Sequence, residues 1–350
     1  MKRLAAVLVA VALAVMGPLR LHAEEQAPGN NGDILQQIDR AIVGLFSRVA
    51  PSVVQITTFA KGKTEADSQI RTGSGFFWDD QGHVITNAHV VRGADEIAVW
   101  LDTGQQFEAE VVGVAPNFDL AVVRAKGLAV PRQAIPVGSS SDLRVGQSVF
   151  VIGSPFGLDQ SLTAGVVSSL KRVVPTSQGR SISNVIQIDA SVHPGSSGGP
   201  LLDSSGRLIG INTIAYAIAE LGTSFGFAIP VDTVKRVVPV LIRDGRIATP
   251  GIGIVPAKED IAIQAGVDGV IIAEVKQNTP AAQAGLRPTD ESGKLGDVIV
   301  SANGKTVRNV YEFTDQLEEI GAGGEIALKI QRDGKTIDLT VAVIDIDQKS

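Results

Sequence analysis

Between residues 53 and 212 the chain breaks into short apolar runs separated by glycine-bearing turns, and this texture limits the fold more than any other feature. Val53-Val54-Gln55-Ile56-Thr57-Thr58, Gly75-Phe76-Phe77-Trp78, His83-Val84-Ile85-Thr86, Glu96-Ile97-Ala98-Val99-Trp100 and residues 120–124, 147–152 and 208–212 are rich in β-branched and aromatic residues. They are too short for helices, and their turn-bounded spacing predicts an all-β sandwich or barrel. Only a few helical patterns interrupt this. Residues 34–46 carry Ile34, Ile38, Ile42 and Leu45 on one helical face, and residues 233–242 form a second helical run that Pro239 should bend or interrupt.

A second unit begins after a joint at Thr249-Pro250-Gly251. Residues 269–275 read as a strand. Thr279-Pro280 opens a short helix that Gly285 closes, with proline at the first helical position. Asn303-Gly304 between apolar runs marks a hairpin. Asn309 with Glu312 three residues on starts a helix that ends at Gly321, and strands follow at 326–331 and 336–343. At about 150 residues per domain, 350 residues suit two or three domains.

The N-terminus has the pattern of a removable secretory signal. Lys2 and Arg3 precede an apolar run over residues 4–16, Gly17-Pro18 breaks it, and Leu21-His22-Ala23 offers a small-residue cleavage site. Thirteen apolar residues fall short of the roughly 20 that span a bilayer, so membrane attachment is expected only if the segment is retained. Cleavage leaves 28 basic against 37 acidic residues, a formal charge of −9. That balance argues against nucleic acid as a partner, because phosphate binding needs clustered Lys and Arg.

The chain has no cysteine, so disulfides, thiolate metal sites and thiol nucleophiles are excluded. It has four histidines, His22, His83, His89 and His193. No His-Glu-x-x-His pattern, phosphate-binding Gly-Lys-Ser/Thr loop or dinucleotide fingerprint is present, and no metal or cofactor is expected. The richest stretch is Gly195-Ser196-Ser197-Gly198-Gly199-Pro200, a loop between strand-like runs where glycines allow close backbone approach and convergent N–H groups. A serine nucleophile needs a base, and His89 in Thr86-Asn87-Ala88-His89-Val90-Val91 sits at a strand end. Asp119, opening the apolar strand Leu120-Ala121-Val122-Val123, would orient that imidazole. His83 reads as an ordinary strand residue with no acidic neighbour, and His193 as an exposed loop histidine.

The order His89, Asp119, Ser197 and the contexts Thr-Asn-Ala-His-Val-Val, Asp-Leu-Ala-Val-Val and Gly-Ser-Ser-Gly-Gly-Pro-Leu-Leu-Asp resemble the HtrA/Deg family of serine proteases over residues 42–343. The resemblance implies a mainly β protein: a chymotrypsin-like double β-barrel over 46–236, a helical linker at 237–249 and an α+β PDZ domain over 250–346. The signal at 1–23 and an N-terminal segment at 24–45 precede them. His89 would be general base, Asp119 its orienter and Ser197 the nucleophile. Backbone N–H groups of Gly195, Ser196 and Ser197 would bind the oxyanion, and Gly251, Ile252, Gly253 and Ile254 would form the peptide-carboxylate loop.

The resemblance further implies an ATP-independent endopeptidase of the bacterial periplasm that degrades misfolded or unfolded proteins, binds peptide C-termini and assembles as a homotrimer. A chaperone with a latent protease domain is the alternative. Two positions depart from the family pattern, Ser196 before the nucleophile and His193, where the family tends to have Asn. Ser191 stands six residues before Ser197, where enzymes cleaving after Arg or Lys have an acid, so cleavage after small or medium aliphatic residues is expected. Residues 211–227, mostly apolar or small, agree with that. Residues 58–73 read as a polar loop.

Overall fold

The computed structural model describes residues 31–347 apart from 63, 65–66, 129–131, 176–180, 214–224 and 291; the expected signal at 1–23 lies outside them. The chain divides into two units, Met1–Gly44 and Leu45–Ser350. The first helix, α1 (Asn31–Val49), keeps Ile34, Leu35, Ile38 and Val43 exposed within the first unit. Among the described residues, no helix is long and apolar enough to cross a membrane.

Two closed six-stranded barrels follow. The first comprises β1 (Val53–Ala60), β2 (Gln69–Phe77), β3 (His83–Thr86), β4 (Glu96–Trp100), β5 (Gln106–Ala115) and β6 (Leu120–Ala125), in the order β1-β2-β3-β6-β5-β4. The second comprises β7 (Ser148–Gly153), β8 (Ser161–Pro175), β9 (Ser181–Ile188), β10 (Pro200–Leu202), β11 (Leu208–Thr213) and β12 (Gly226–Pro230), in the order β10-β11-β12-β9-β8-β7. Val54, Ile56, Phe77, Val84 and Val123 fill the first barrel, and Val149, Val151, Ile188, Leu201 and Ile209 the second. Closure removes the exposed sheet edges that would otherwise invite pairing with other chains.

The apolar runs fall on strands, but several strands lack such a run. β8 carries Ser, Thr, Lys and Arg, and its pairing with β9 shifts register at three places. Half of the stretch expected as a polar loop is strand: β1 and β2 pair through Thr58↔Arg71 to Ala60↔Gln69, leaving residues 61–68 between them. His83 also departs from expectation. The turn after β2 folds Asp79 back onto it, so its Nδ1 lies 2.6 Å from Asp79 Oδ2 and the ring is buried.

A four-residue helix, α2 (Ala88–Val91), follows β3, and a longer one, α3 (Val231–Asp244), follows β12. Helix α3 runs through Pro239, which is exposed, and buries Val231, Val234, Val237, Val238 and Leu241 against β5, β6, β11 and β12. The expected protease–linker boundary at 236/237 therefore falls inside one helix packed on both barrels. Gly245 caps it in the left-handed region, its N–H donating to the Leu241 carbonyl.

The C-terminal region contains β13 (Pro250–Gly251), β14 (Ile254–Pro256), α4 (Glu259–Gln264), β15 (Val270–Val275), α5 (Pro280–Gln283), β16 (Val298–Ala302), β17 (Lys305–Thr306), α6 (Val310–Ile320), β18 (Glu325–Arg332), β19 (Lys335–Ala342) and β20 (Ile344–Asp345). Its main sheet runs β14-β15-β16-β18-β19, and Ile252, Ile272, Ile299, Phe313, Leu317 and Ile330 centre its core. Asn303 and Gly304 both take positive φ in the β16–β17 turn, and Asn309 Oδ1 accepts from the Glu312 amide to cap α6.

One buried charge ties this region together. Asp297 is fully buried, accepts two 2.7 Å bonds from the Arg332 guanidinium and also binds the Arg287 amide at 2.8 Å. The paired carboxylate in turn holds the Arg332 pKa above its ordinary value. Removing one partner of such a pair strands the other, at about 3 kcal/mol. Arg332→Ala should therefore lower the stability of the C-terminal transition by about 3 kcal/mol in chemical denaturation. A loss below about 0.5 kcal/mol, the size of an ordinary surface substitution, would contradict this role.

Candidate active site

The pairing of β3 with β6 brings the first two expected site residues together. Thr86 faces Ala121, so the chain just after β3 meets the chain just before β6. There Asp119 closes a short 3₁₀ turn in the left-handed conformation, φ 50° and ψ 39°, a region Asp tolerates better than most residues. Its carbonyl accepts from the Ala88 amide at 3.1 Å and the Asn87 Nδ2 at 2.9 Å. Its carboxylate points at His89, with Nδ1 3.0 Å from Oδ1 and 2.9 Å from Oδ2. The His89 backbone amide donates to Oδ1 at 3.0 Å as well.

The second barrel supplies a donor that the sequence reading missed. Thr213, at the end of β11, donates its hydroxyl to Asp119 Oδ2 at 2.8 Å. Asp119 is 7% exposed, so its charge is held by these donors rather than by solvent. A hydroxyl residue directly after the apolar run 208–212 is the signal that the sequence offers.

Ser197 arrives on the loop that precedes β10. The loop hangs on Ser74, a fully buried serine of β2 that the sequence reading also passed over. Ser74 Oγ donates to the Gly195 carbonyl at 2.6 Å and accepts from the Ser154 amide at 2.9 Å, while its own amide donates to the Ser197 carbonyl at 2.8 Å. Asn212 grips the other end. Its carbonyl accepts from Gly198, and its Nδ2 donates to the carbonyls of Gly199 and Pro200. Gly195 has φ +96°, and a Cβ there would lie 2.6 Å from both the Phe156 nitrogen and the Ser154 oxygen, so only glycine fits.

The amides of this loop differ in their engagements. The Ser196 N–H, expected in the anion pocket, instead donates to the His193 carbonyl at 2.9 Å. This tight turn withdraws it. No described residue accepts from the amides of Gly195 and Ser197. The Ser197 hydroxyl is buried and has no hydrogen-bond partner. His193 is exposed, with its ring stacked 5.9 Å from that of Phe156. No group of His, Asp or Glu side chains suited to a metal occurs among the described residues. Residues 214–224, expected to help set cleavage preference, lie outside the described residues.

In the expected carboxylate loop the carbonyls are engaged within the fold. The Ile252 carbonyl accepts from the Ala281 amide and the Gly253 carbonyl from the Lys276 amide, both at 2.9 Å. No described residue accepts from the amides of Ile252 and Gly253. Gly253 has φ +91°, and a Cβ there would run into Thr279.

Comparison with known proteins gives a consistent answer. A trypsin-like peptidase domain matches residues 73–211 and a PDZ domain matches residues 250–343. Protease Do-like 1, chloroplastic, from Arabidopsis thaliana is 44% identical over 85% of this chain and 70% of its own length. Serine endoprotease DegS from Salmonella typhimurium is 36% identical over 85% of this chain and 83% of its own. A probable periplasmic serine endoprotease, DegP-like, from Halomonas elongata is 36% identical, and the chain spans only 58% of its length. Among solved structures, the HtrA-type protease AlgW with a decapeptide aligns at TM-score 0.69 and 29% identity, covering 88% of this chain and 99% of that one. The double barrel, the PDZ region and these relatives together show that the chain belongs to the HtrA/Deg family of serine endopeptidases.

Proposed function

We propose that this endopeptidase degrades misfolded or unfolded exported proteins without ATP, using Ser197, His89 and Asp119 in the bacterial periplasm as a homotrimer, and that its PDZ domain binds peptide C-termini. The observation that carries the catalytic part is the Asp119 carboxylate seated on His89 Nδ1, together with a buried, unpartnered Ser197 hydroxyl on a loop whose Gly198 packs against Thr86 and the Asn87 amide. With Nδ1 donating to Asp119, the imidazole presents Nε2 as a base. Ser197 Oγ attacks the scissile carbonyl and passes its proton to His89. Asp119 steadies the imidazolium that forms. The amides of Gly195 and Ser197 receive the developing oxyanion, an electrostatic contribution worth about 10²–10³ in rate per donor. His89 then protonates the leaving amine, and a water activated by the same base releases the acyl group.

The absence of a phosphate-binding loop supports ATP independence. The N-terminal basic-then-apolar run and the periplasmic relatives support export, and the unengaged amides of Ile252 and Gly253 support carboxylate capture. An extended substrate suits both sites, since an unfolded chain can lie across the barrel seam while its end is held.

Digestion of unfolded casein should fall about 10⁴-fold or more in Ser197→Ala. Equal turnover by that variant would remove Ser197 from the mechanism. If the variant also stops preventing aggregation of unfolded clients, the chaperone alternative loses its support. Thr213→Val should lower kcat about ten- to a hundredfold with KM little changed, because a hydrogen bond to a charged group is lost away from the substrate. A change confined to KM would contradict a positioning role for Thr213.

A further inference from the structure

A cavity of about 370 Å³ lies where α6 of the PDZ domain approaches the second barrel. Its PDZ wall includes the loop at 251–254 and Leu317 of α6. Its protease wall includes Phe118, Ser183 and Arg236. The loop end is apolar, with Ile252 and Ile254. The α6 side is charged. Asp315 and Glu318 stand three residues apart on α6, so they share one face of the helix. Among the described residues, the one cation lining the cavity is Arg236 of α3, whose guanidinium lies 5.0 Å over the ring of Phe118, directly before Asp119 in sequence.

Two carboxylates and one guanidinium leave this side of the cavity short of positive charge. Burial pushes the Glu318 carboxyl up to about 7, with Arg236 opposing and Asp315 adding to the rise. Burial also raises Asp315, against its hydrogen bond to Ser183 and with repulsion from Glu312. Among the described residues lining the cavity, Asp315 and Glu318 thus face a single guanidinium, that of Arg236.

We propose that this groove selects peptide C-termini in which a Lys or Arg precedes an apolar last residue, with Glu318 and Asp315 as the specificity-determining residues. The inference rests on the preceding reading of residues 251–254 as a carboxylate loop and names the ligand class of that site. A peptide extended along β14 places its terminal carboxylate on the free amides of Ile252 and Gly253 and its last side chain among Ile252, Ile254 and Leu317. The stem of an upstream Lys or Arg then runs along apolar wall while its head meets the two carboxylates. An acidic side chain there is rejected by like charge, so discrimination comes from repulsion as much as attraction.

The selection is pH-dependent in one direction. Glu318 is charged above about 7 and neutral below it, whereas Lys and Arg stay charged throughout. The charged and titratable groups facing Glu318 are Arg236 from α3 and Asp315 from its own helix, with Glu312 acting on Asp315. The preference for a basic peptide is therefore full above neutral pH and narrows as pH falls through 7.

Fluorescence anisotropy on the full chain carrying Ser197→Ala, which prevents cleavage, provides the test. Labelled decapeptides ending in valine carry Lys, Ala or Glu at one of the three positions before the last, each with a free or amidated C-terminus. At pH 8 and low salt, Lys at one of these positions should bind about tenfold more tightly than Ala, and Glu more weakly than Ala. Glu318→Gln with Asp315→Asn should erase the difference, and Glu318→Arg should reverse it. If no free-carboxylate peptide outbinds its amidated twin, the carboxylate-loop reading falls and this inference with it. If carboxylate dependence is intact but Lys, Ala and Glu bind alike, only the charge selection is overturned. A Lys preference unchanged between pH 8 and pH 6 contradicts the role of Glu318.

Discussion

The molecule turns on one desolvated carboxylate. Asp119 lies at the seam of the two barrels, where an uncompensated charge would cost several kcal/mol. It is compensated by the His89 amide and Nδ1 from the first barrel and by the Thr213 hydroxyl from the second. The same bonds orient the imidazole and join the barrels. A side chain that only positioned the base would not need a partner from across the seam. A side chain that only held the seam would not need to bind both Nδ1 and the backbone amide of the histidine. Its left-handed backbone, a conformation costing on the order of 1 kcal/mol, is held by the preceding 3₁₀ turn and by donors to its carbonyl.

Ser197, the proposed nucleophile, depends on a second crossing at Ser74. This residue belongs to the first barrel, yet it binds the Gly195 carbonyl, the Ser197 carbonyl and the Ser154 amide of the second. The loop is thereby fixed, and no described residue accepts from the Gly195 and Ser197 amides proposed to meet the oxyanion. Preorganised donors of this kind act without reorganisation when charge develops. The PDZ domain extends the logic, since its groove is walled partly by Phe118, the residue beside Asp119, and by the Arg236 that covers it.

What was legible in the sequence followed local rules. Strands β3 and β4 show as apolar runs because one or both faces are buried, and the caps at Asn309 and Thr279 and the Asn303-Gly304 turn follow from backbone chemistry that needs no distant partner. The illegible parts depend on contacts between residues far apart in sequence. Ser74 and Thr213 look like unremarkable hydroxyls until β2 and β11 are brought to the seam. Strand β8 carries polar residues and bulges, so its period is broken although its pairing is extensive. His83 gained an acidic partner through a turn whose path its own strand does not reveal. Pro239, expected to bend or interrupt its helix, does not interrupt α3: it sits on the exposed side, where buried valines on the opposite face hold the helix against both barrels.

The adjacent serines make the central claim unusually direct to test. Ser196 is committed to the turn through its amide, while Ser197 carries a buried, unpartnered hydroxyl. Labelling the intact protein with a fluorophosphonate and mapping the adduct by peptide mass spectrometry separates them. The account predicts a single adduct on Ser197, lost when Asp119 is replaced by Ala. An adduct on Ser196, or labelling of Ser197 that is indifferent to Asp119, would contradict it.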